Sequence, residues 1–564
     1  MAIYEKYLGR SRDSFSSLKD AQDNLRLSCP DDFNFAYDVI DELGRTKPDK
    51  TAMVWVSKNW EEKIISFSEL SRESDRAAAF LYGLGIRRGD RVLLVLKRHY
   101  YFWYLLLGLH KIGAVEVHAT SMLTAKDYVY RCNAAKVKAV VLSCDDGCTE
   151  HFDGGNGKYE TVEHRFVIGG NAPDGWRDFN AEFEATPAEW KKPDYLSDFS
   201  ADETMMLCFS SGTTGYPKLI SHDYRYPLGH IMTGVFWHRC VDGGLHLSVS
   251  DTGWMKAFWG KMYGQWFAES AIMVYDFDRF NGEDILKIVE KYKVTTFCVP
   301  PTMYRMILLK DVEKYDLSSL THCCTAGEAL GPEIYNEWLT RTGHKIYEGF
   351  GQSETPVIIA SLAPYTEPVP GSAGLPVPGY DVQIVDEDCN PCPRGVNGEI
   401  CVRVDSIATR PYGLLSSYNF NEEETANAYR DGFYHTGDIA YRDEKGMFRY
   451  VGRNDDIIKS SGYRIGPFEI ESVMIEHPAV LEVAVTGVPD ALRGFLVKAT
   501  VVLREGFTPS DELVKELQNY VKVNTAPYKY PRIIEFVDSL PKTFSGKIRR
   551  TEIRQRDAEK YANK

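Results

Sequence analysis

The chain has 564 residues, of which 44% are hydrophobic and 26% are charged, and its formal net charge is −14 at pH 7. A single hydrophobic core does not grow to that size, so we expect at least two domains. The excess of acidic over basic residues disfavours general binding to nucleic acid or to an anionic membrane surface. A phosphate ligand must therefore be held by a local arrangement of residues.

Cysteine usage and the first twenty residues favour a reducing, cytoplasmic setting. Cys389 and Cys392 form one CxxC, but no second pair at zinc spacing accompanies it, and its Asn-Pro centre predicts a turn rather than a zinc or redox site. The first twenty residues lack an apolar core and carry three acidic side chains, which disfavours a signal or transit peptide. The longest aromatic and apolar run, 100–109, is shorter than the roughly 20 residues of a membrane-spanning helix. We therefore expect no integral membrane contact.

Helices and strands alternate over the first 300 residues. Residues 66–82 predict a helix, with Ser66 and Glu69 at capping-box spacing, and a buried strand follows at 90–96. The alternation predicts parallel sheets covered by helices. Further helix and strand pairs are predicted at 101–113 and 115–118, 128–135 and 139–142, and 284–292 and 295–299.

The character of the sequence changes twice in its last third. Short strands and turns from about residue 370 predict a β-rich subdomain, with strands at 382–385, 399–404, 439–442 and 448–450. After Gly452 the pattern becomes helix 467–476, strands 480–488 and 496–503, and helix 509–523. We therefore predict an α/β fold: an N-terminal domain, 1–454, of parallel-sheet α/β subdomains plus the β-rich subdomain, and a small α+β domain, 455–564.

The segment Ser210 to Lys218, SSGTTGYPK, is typical of a loop that holds phosphate, and a predicted buried strand at 204–209 precedes it. Glycines let backbone amides approach a polyanion, and short hydroxyls add neutral donors. Its spacing does not match GxxxxGK[ST], which disfavours a P-loop kinase. The residues assigned to phosphate binding are Ser210, Ser211, Gly212, Thr213, Thr214, Gly215 and Lys218.

Five further segments follow in order: AGEAL (326–330), YEGFGQSET (347–355), YHTGD (434–438), GRNDDIIKSSGYRIGPFEIE (452–471) and PKTFSGKIRR (541–550). Together with SSGTTGYPK, this set resembles the AMP-forming adenylate ligases, the superfamily of acyl-CoA synthetases, adenylation domains and luciferases. The match spans nearly the whole chain. The resemblance implies ATP and coenzyme A as co-substrates, Mg²⁺ as cofactor and a mobile C-terminal domain.

The resemblance also implies which residues bind the nucleotide. Asp438 and Arg453 would contact the ribose, and a carboxylate can accept hydrogen bonds from both ribose hydroxyls. Phe350 would stack on adenine, although its ring is equally plausible as core. Glu354 would hold Mg²⁺, which prefers carboxylate and phosphate oxygens. The remaining residues implied at the nucleotide are Gly327, Glu328, Ala329, Gly351, Gln352 and Ser353.

Three charged residues are expected to carry the catalysis: Lys547, Arg464 and Glu354. A lysine at the α-phosphate offsets the negative charge that develops as pyrophosphate leaves, and a guanidinium suits phosphate geometry. In similar enzymes the C-terminal domain rotates about a hinge aspartate, here Asp455, and forms a pantetheine tunnel. The tunnel residues implied are Ser461, Gly462 and Tyr463.

Residues 251–266, DTGWMKAFWGKMYGQW, resemble the medium-chain acyl-CoA synthetase branch, in which this region shapes the acyl pocket. We place Trp259 at the pocket wall, where a large indole favours short, medium or branched acids over long ones. Lys256 and Cys298 are candidates for the same pocket, with an exposed lysine and a buried structural thiol as equal alternatives. Other functions left open are an adenylating ligase for an aryl acid or a carrier-protein thiol, and a non-catalytic acyl-adenylate binding scaffold.

Overall fold

The structure, a computed structural model, describes residues 2–210, 217–328, 330–460, 463–490, 493–542 and 547–561. Four sheets organise these residues, two of them large and mainly parallel and two of them five-stranded. The predicted α/β class, with a β-rich part and a smaller α+β part at the C-terminal end, is confirmed. None of the described helices has the length and apolar character needed to cross a lipid bilayer.

The first large sheet has nine strands, and its central strands are buried on both faces by helices, as parallel strands require. Antiparallel pairs occur only towards its two edges. In spatial order its strands are Leu375–Pro376, Ile359–Ala360, Ile346–Phe350, His322–Thr325, Thr296–Cys298, Leu245–Ser248, Ala271–Tyr275, Thr51–Val56 and Glu62–Ser66.

The second large sheet has eight strands and contains the strand that leads into the predicted phosphate loop. Thr204–Phe209 is parallel to its neighbour on one side and antiparallel to Leu219–Asp223 on the other. The loop therefore connects these two antiparallel strands at the carboxyl end of a parallel strand, a common position for ligand sites. In spatial order the strands are Ser417–Tyr418, Leu219–Asp223, Thr204–Phe209, Val115–His118, Arg91–Val95, Val137–Ser143, His164–Ile168 and Arg177–Asp178.

The helices that cover these sheets follow the sequence signals closely. Helix Phe67–Gly83 begins after Ser66, whose hydroxyl accepts a hydrogen bond from the amide of Glu69 at 3.1 Å. Pro301 starts a helix, because proline is tolerated at a first helical position. Besides Phe67–Gly83, the α-helices in this part of the chain are Glu5–Leu8, Leu18–Asn24, Glu42–Thr46, Tyr101–Ile112, Ala125–Ala135, Cys148–Asp153, Phe179–Ala185, Tyr226–Ile231, Lys256–Gly260, Tyr263–Phe267, Gly282–Tyr292, Pro301–Leu308, Pro332–Thr342 and Glu422–Ala428.

The third sheet is antiparallel and corresponds to the predicted β-rich part. One strand is longer than expected, because the predicted 439–442 is the second half of Phe433–Arg442 and the YHTGD motif forms its first half. The motif residue Asp438 is therefore fixed within a sheet rather than in a loop. The strands are Val382–Val385, Gly398–Arg403, Phe433–Arg442, Tyr429–Arg430 and Phe448–Arg453.

The fourth sheet lies in the C-terminal part and carries three helices, Pro467–Ile475, Asp511–Asn524 and Arg550–Tyr561. The last helix, which the sequence pattern did not predict, is held by the buried Lys498, which pairs with Asp557 of that helix and with Glu535. The strands are Tyr463–Ile465, Ile458–Ser460, Gly494–Leu503, Val480–Asp490 and Ile533–Phe536.

Candidate active site

The two ends of the predicted phosphate loop are joined by backbone contacts. The amide of Ser210 donates to the carbonyl of Lys218 at 2.9 Å, and the amide of Lys218 donates to the Ser210 hydroxyl at 3.0 Å. The Tyr130 hydroxyl also donates to the carbonyl of Pro217 at 2.9 Å. Five predicted phosphate ligands lie outside the described residues and stay predictions: Ser211, Gly212, Thr213, Thr214 and Gly215.

Tyr418 connects the predicted phosphate lysine with the predicted metal ligand. The Lys218 ammonium lies 5.1 Å from the centre of the Tyr418 ring, and the Tyr418 hydroxyl donates to Oε1 of Glu354 at 3.0 Å. Lys218 also pairs with the carboxylate of Glu424. Neither Tyr418 nor Glu424 was predicted, because both lie in a stretch without a recognisable motif.

Glu354 is positioned by its backbone as well as by its side chain. Its carbonyl accepts a hydrogen bond from the amide of Leu415 at 2.8 Å. Burial raises the pKa of Glu354, while Tyr418 and the charges of Arg453 and Lys218 act in the opposite direction. A carboxylate that accepts one hydrogen bond retains lone pairs for a cation, so this residue fits the role of an oxygen ligand for Mg²⁺.

Asp438 lies at the centre of a hydrogen-bond cluster. It is 4% exposed and sits opposite Arg453 in the antiparallel register of the third sheet. Its Oδ1 accepts from the Tyr450 hydroxyl at 3.0 Å, and its Oδ2 accepts from Arg453 Nη1 at 3.2 Å and from the Gln352 amide. Burial raises the pKa of Asp438, and these three donors oppose that shift. The cluster holds one carboxylate in a fixed orientation.

The motif at 347–355 packs against the strand that carries Asp438. Gln352 accepts from the Tyr434 hydroxyl at 2.9 Å and donates to the carbonyl of Thr436 at 2.8 Å. The half-buried ring of Phe350 lies 6.2 Å from the ring of Tyr450. The structure therefore brings Phe350, Gln352, Asp438 and Arg453 together, although the first and last are about one hundred residues apart in sequence.

His222, behind this motif, was not predicted as part of the site. Its Nε2 donates to the carbonyl of Ser353 at 2.8 Å and so fixes the backbone next to Glu354. Burial lowers the pKa of His222 to about 3, which keeps its ring neutral. The histidine thus positions the backbone beside Glu354, the predicted metal ligand, without adding a charge to it.

The AGEAL segment lies beside the same motif. Gly327 has φ +98°, a conformation that favours glycine, and Oε2 of Glu328 accepts from the Thr302 hydroxyl at 2.7 Å. The buried Glu348, which we did not predict, accepts from the amide of Leu330 at 3.3 Å. Burial raises the pKa of Glu348 to about 8. The remaining predicted residue of the segment, Ala329, lies outside the described residues.

Lys256, a candidate for the predicted acyl pocket, contacts the AGEAL segment. Its ammonium donates to the carbonyl of Ala326 at 2.6 Å. Burial lowers the pKa of Lys256, and the charge of Lys547 acts in the same direction, against Cys298 and Glu328. Burial also raises the pKa of Cys298 to about 11. Lys256 is therefore not an exposed surface lysine, and Cys298 lies close enough to it for the two groups to influence each other's pKa.

Trp259 packs directly against the motif at 347–355, which is predicted to bind the nucleotide. Its side chain is 6% exposed, and a Cβ atom at Gly351 would lie only 2.4 Å from Cη2 of its indole. Glycine at 351 is thus required for the indole to occupy this position. A second tryptophan, Trp237, lies edge-on to it with ring centres 6.3 Å apart. We did not predict Trp237, because it lies outside the segment that carried the resemblance.

The residues on either side of the predicted hinge form ion pairs with different parts of the chain. Arg453 pairs with Asp438 of the third sheet and lies 3.6 Å from Asp455, whereas Asp456 pairs with Arg550 at 3.8 Å and with Arg554, both in the C-terminal part. Asp455 therefore stands between Arg453, which pairs within the third sheet, and Asp456, which pairs with the helix Arg550–Tyr561. Of the predicted tunnel, the Tyr463 ring stacks on Tyr528 at 4.1 Å, while Ser461 and Gly462 lie outside the described residues. The side chain of Arg464, which is predicted to contact phosphate, is likewise outside them.

Comparison with known proteins agrees with this geometry. Residues 40–411 match the family described as AMP-binding enzyme, and residues 469–547 match the AMP-binding enzyme C-terminal domain. The chain belongs to the AMP-binding enzyme family. This AMP-binding enzyme is an acyl-CoA synthetase, an AMP-forming acid-thiol ligase that uses ATP and coenzyme A, as the sequence predicted.

Relatives match over almost the full length of the enzyme. The mitochondrial acyl-coenzyme A synthetase ACSM3 of Mus musculus is 37% identical over 564 residues, which cover 98% of this chain and 96% of the relative. The mitochondrial acyl-coenzyme A synthetase ACSM5 of Mus musculus is 39% identical, covering 94% and 92%. Among solved structures, an anthranilate CoA ligase in complex with anthranoyl-AMP superposes with a TM-score of 0.85 at 28% identity, covering 95% of this chain and 99% of that chain.

Proposed function

We propose that this enzyme activates a short- to medium-chain carboxylic acid, branched acids included, and transfers the acyl group to coenzyme A. A carboxylate oxygen of the acid attacks the α-phosphorus of ATP, and pyrophosphate leaves. The thiol sulfur of coenzyme A then attacks the acyl carbonyl carbon, and AMP leaves. The observation that carries the chain-length proposal is the indole of Trp259 packed against Gly351, because it fills space directly beside the nucleotide motif.

The phosphate end of the site would hold ATP through Lys218, Glu354 and the loop between Ser210 and Lys218. Mg²⁺ on Glu354 would supply positive charge to the phosphate oxygens of ATP. Tyr418 lies between Lys218 and Glu354 and orients the carboxylate by its hydrogen bond. The carboxylate of Asp438 would accept hydrogen bonds from the ribose hydroxyls. Tyr450, Arg453 and Gln352 already fix the orientation of that carboxylate by donating to it.

Lys547 would act at the α-phosphate during the first half-reaction. Support comes from Lys256, whose pKa the charge of Lys547 helps to lower, although Lys547 belongs to the C-terminal part of the chain. Lys256 itself donates to the carbonyl of Ala326 in the AGEAL segment, so positive charge near that segment would suit a developing negative charge. We also assign to Arg464 a contact with phosphate, where its positive charge would offset the same developing negative charge.

The two half-reactions would use different orientations of the C-terminal domain, which we propose comprises 455–564 and turns about Asp455 relative to 1–454. The change of partners between Arg453 and Asp456 supports this hinge. The tunnel for the thiol arm would then pass Ser461, Gly462 and Tyr463. The cytoplasmic location stays a prediction, since the two mammalian relatives carry the word mitochondrial in their names.

Replacing Gly462 by leucine should block the second half-reaction and spare the first. A leucine side chain would fill the tunnel at the point where the thiol arm passes, whereas ATP and the acid bind without it. We expect pyrophosphate release in a single turnover to continue and acyl-CoA formation to be lost. Unchanged acyl-CoA synthesis would contradict the tunnel assignment, and Gly462→Ala, which adds one methyl group, is the matched control.

Replacing Trp259 by alanine should shift substrate preference towards longer acids, because removal of the indole deepens the pocket. Each additional methylene group that the variant buries is expected to improve kcat/KM by about 10-fold relative to wild type. Trp259→Phe, which keeps an aromatic ring of smaller size, should show an intermediate profile. The measurement is kcat/KM across straight-chain acids, and an unchanged profile would remove Trp259 from the pocket wall.

A second candidate substrate class is an aryl acid. The anthranilate CoA ligase and the benzoate CoA ligase from Burkholderia xenovorans LB400 both share this fold, the latter with a TM-score of 0.78 at 26% identity over 93% of this chain and 100% of that chain. Pyrophosphate release measured across straight, branched and aromatic acids, with and without coenzyme A, separates the candidates. Acyl transfer that requires a carrier protein in place of coenzyme A would favour the carrier-directed ligase. Absence of pyrophosphate release with every acid would favour the non-catalytic acyl-adenylate binding scaffold.

A further inference from the structure

Three side chains able to bind a metal meet at one end of the third sheet. A thiol, a carboxylate oxygen and a ring nitrogen from Cys389, Asp431 and His435 all lie within 4.8 Å of one another. Cys389 lies between strands Val382–Val385 and Gly398–Arg403, Asp431 lies in the turn before Phe433–Arg442, and His435 lies on that strand. Folding of the sheet, rather than sequence spacing, therefore brings them together.

The environment of His435 provides a second and independent observation. The side chain is 9% exposed, and its Nδ1 donates to Oε2 of Glu399 at 3.0 Å. Its Nε2 is buried and has no hydrogen-bond partner among the described residues. A buried nitrogen without a partner is costly. Because the proton of the ring is used at Nδ1, we assign the lone pair of Nε2 to the metal ion.

Glu399 contacts His435 in the way that carboxylates support the histidine ligands of metal sites. A carboxylate that accepts from one ring nitrogen fixes the tautomer and orientation of the ring and raises the basicity of the other nitrogen. Glu399 is itself held, since its Oε1 accepts from the amide of Gly437 at 2.8 Å. The nearest cation, Arg430, lies 3.8 Å from Glu399 Oε2. The ring nitrogen is thus oriented before any ion binds.

We propose that Cys389, Asp431 and His435 bind a zinc-class divalent cation, with Glu399 as the residue that positions the imidazole. Thiolate, imidazole and carboxylate are the ligands that Zn²⁺ takes from proteins, and three of them leave one tetrahedral position for water. A thiolate and an imidazole are poor ligands for Mg²⁺, which prefers oxygen. The site is therefore chemically distinct from the Mg²⁺ site proposed at Glu354.

The position of the site indicates that the ion would stabilise the sheet and would not take part in catalysis. Successive side chains of a strand point to opposite faces. Tyr434 faces Gln352 of the nucleotide motif, and its neighbour His435 faces Glu399 and Cys401 instead. The ion would tie two turns to the strand that carries Asp438. Binding to the folded state alone would stabilise the enzyme by mass action.

The neighbouring cysteine supplies a matched control. Cys392 completes the CxxC with Cys389, but its sulfur is directed towards the carbonyl of Asn397, 3.9 Å away. The candidate ligating partners of Cys389 come instead from the segment that contains Asp431 and His435. A variant at Cys392 removes one thiol of the same motif without touching the proposed site.

The test uses Co²⁺ as a spectroscopic substitute for Zn²⁺ on the full-length enzyme after treatment with a chelator. We expect one ion per chain, a thiolate-to-cobalt charge-transfer band, visible bands of tetrahedral cobalt, and loss of these bands on addition of Zn²⁺ but not of Mg²⁺. Cys389→Ser should lose the charge-transfer band, while Cys392→Ser should keep it. Glu399→Gln should keep the band and weaken the affinity by about 10- to 100-fold.

Folding of each variant is checked by its acyl-CoA synthetase activity and by its melting temperature without metal. Zn²⁺ should raise the melting temperature of the wild-type enzyme and of Cys392→Ser, and leave that of Cys389→Ser unchanged. Absence of stoichiometric cobalt binding by the wild-type enzyme would overturn the proposal. A charge-transfer band that survives Cys389→Ser, or that disappears in Cys392→Ser, would overturn it as well.

Discussion

Replacing Lys547 by alanine is expected to slow adenylate formation by roughly 100- to 1,000-fold, the usual effect of removing one group that stabilises developing negative charge. Thioester formation from supplied acyl-adenylate should remain close to wild type, because the α-phosphate has already been attacked in that substrate. Lys547 lies close enough to Lys256 for its charge to help lower the pKa of Lys256.

The two half-reactions are measured separately, the first by pyrophosphate release and the second by acyl-CoA formation from synthetic acyl-adenylate. Lys542→Ala is a matched control, since Lys542 lies five residues earlier and pairs with Glu482. Its loss removes a charge from the same segment without affecting the α-phosphate. If Lys547→Ala slowed both half-reactions equally, the assigned role would be wrong.

The sequence predicted most of the fold because local signals and tertiary packing agree. The capped helix after Ser66 and the buried strands 115–118, 204–209 and 382–385 have the predicted positions. The strand Phe433–Arg442 was predicted only in part, because its first half contains Thr, Gly and Asp, which are ordinarily turn residues. Pairing with Gly398–Arg403 holds that half in the sheet.

The motifs identified the residues with ligand chemistry but not those that hold them in place. Asp438, Arg453 and Gln352 come together as expected. Tyr418 and Glu348 support the site through single hydrogen bonds that depend on how distant segments pack. Tyr418 lies outside every motif, and Glu348 lies inside one without an assigned role, so the contacts of both required the structure.

Replacing Glu354 by glutamine is the second substitution with a large expected effect. The change removes one negative charge at constant shape, and with it the oxygen ligand proposed for Mg²⁺. Stabilisation by a metal ion amounts to several kcal/mol, so we expect the rate of adenylation to fall by roughly 100-fold or more at a fixed Mg²⁺ concentration. A higher Mg²⁺ concentration should restore part of the rate.

Tyr418→Phe is the matched control, because it removes the hydrogen bond to Glu354 and keeps the carboxylate. A single hydrogen bond to a charged group contributes about 1.5–3 kcal/mol, so this variant should lose less activity than Glu354→Gln and keep the wild-type Mg²⁺ dependence. The measurement is the rate of pyrophosphate release as a function of Mg²⁺ concentration. An unchanged Mg²⁺ dependence in Glu354→Gln would show that another group holds the metal.

The pH dependence of activity in Glu354→Gln and Tyr418→Phe tests the charge of Glu354 directly. Burial raises the pKa of this carboxyl, so it takes up a proton at a higher pH than an exposed glutamate does. Only the deprotonated form can bind Mg²⁺, and activity should therefore fall as the pH decreases through the raised pKa. Glutamine does not titrate, so Glu354→Gln should lack this acidic limb, whereas Tyr418→Phe, which has lost a hydrogen bond that lowers the pKa, should show the limb at a higher pH.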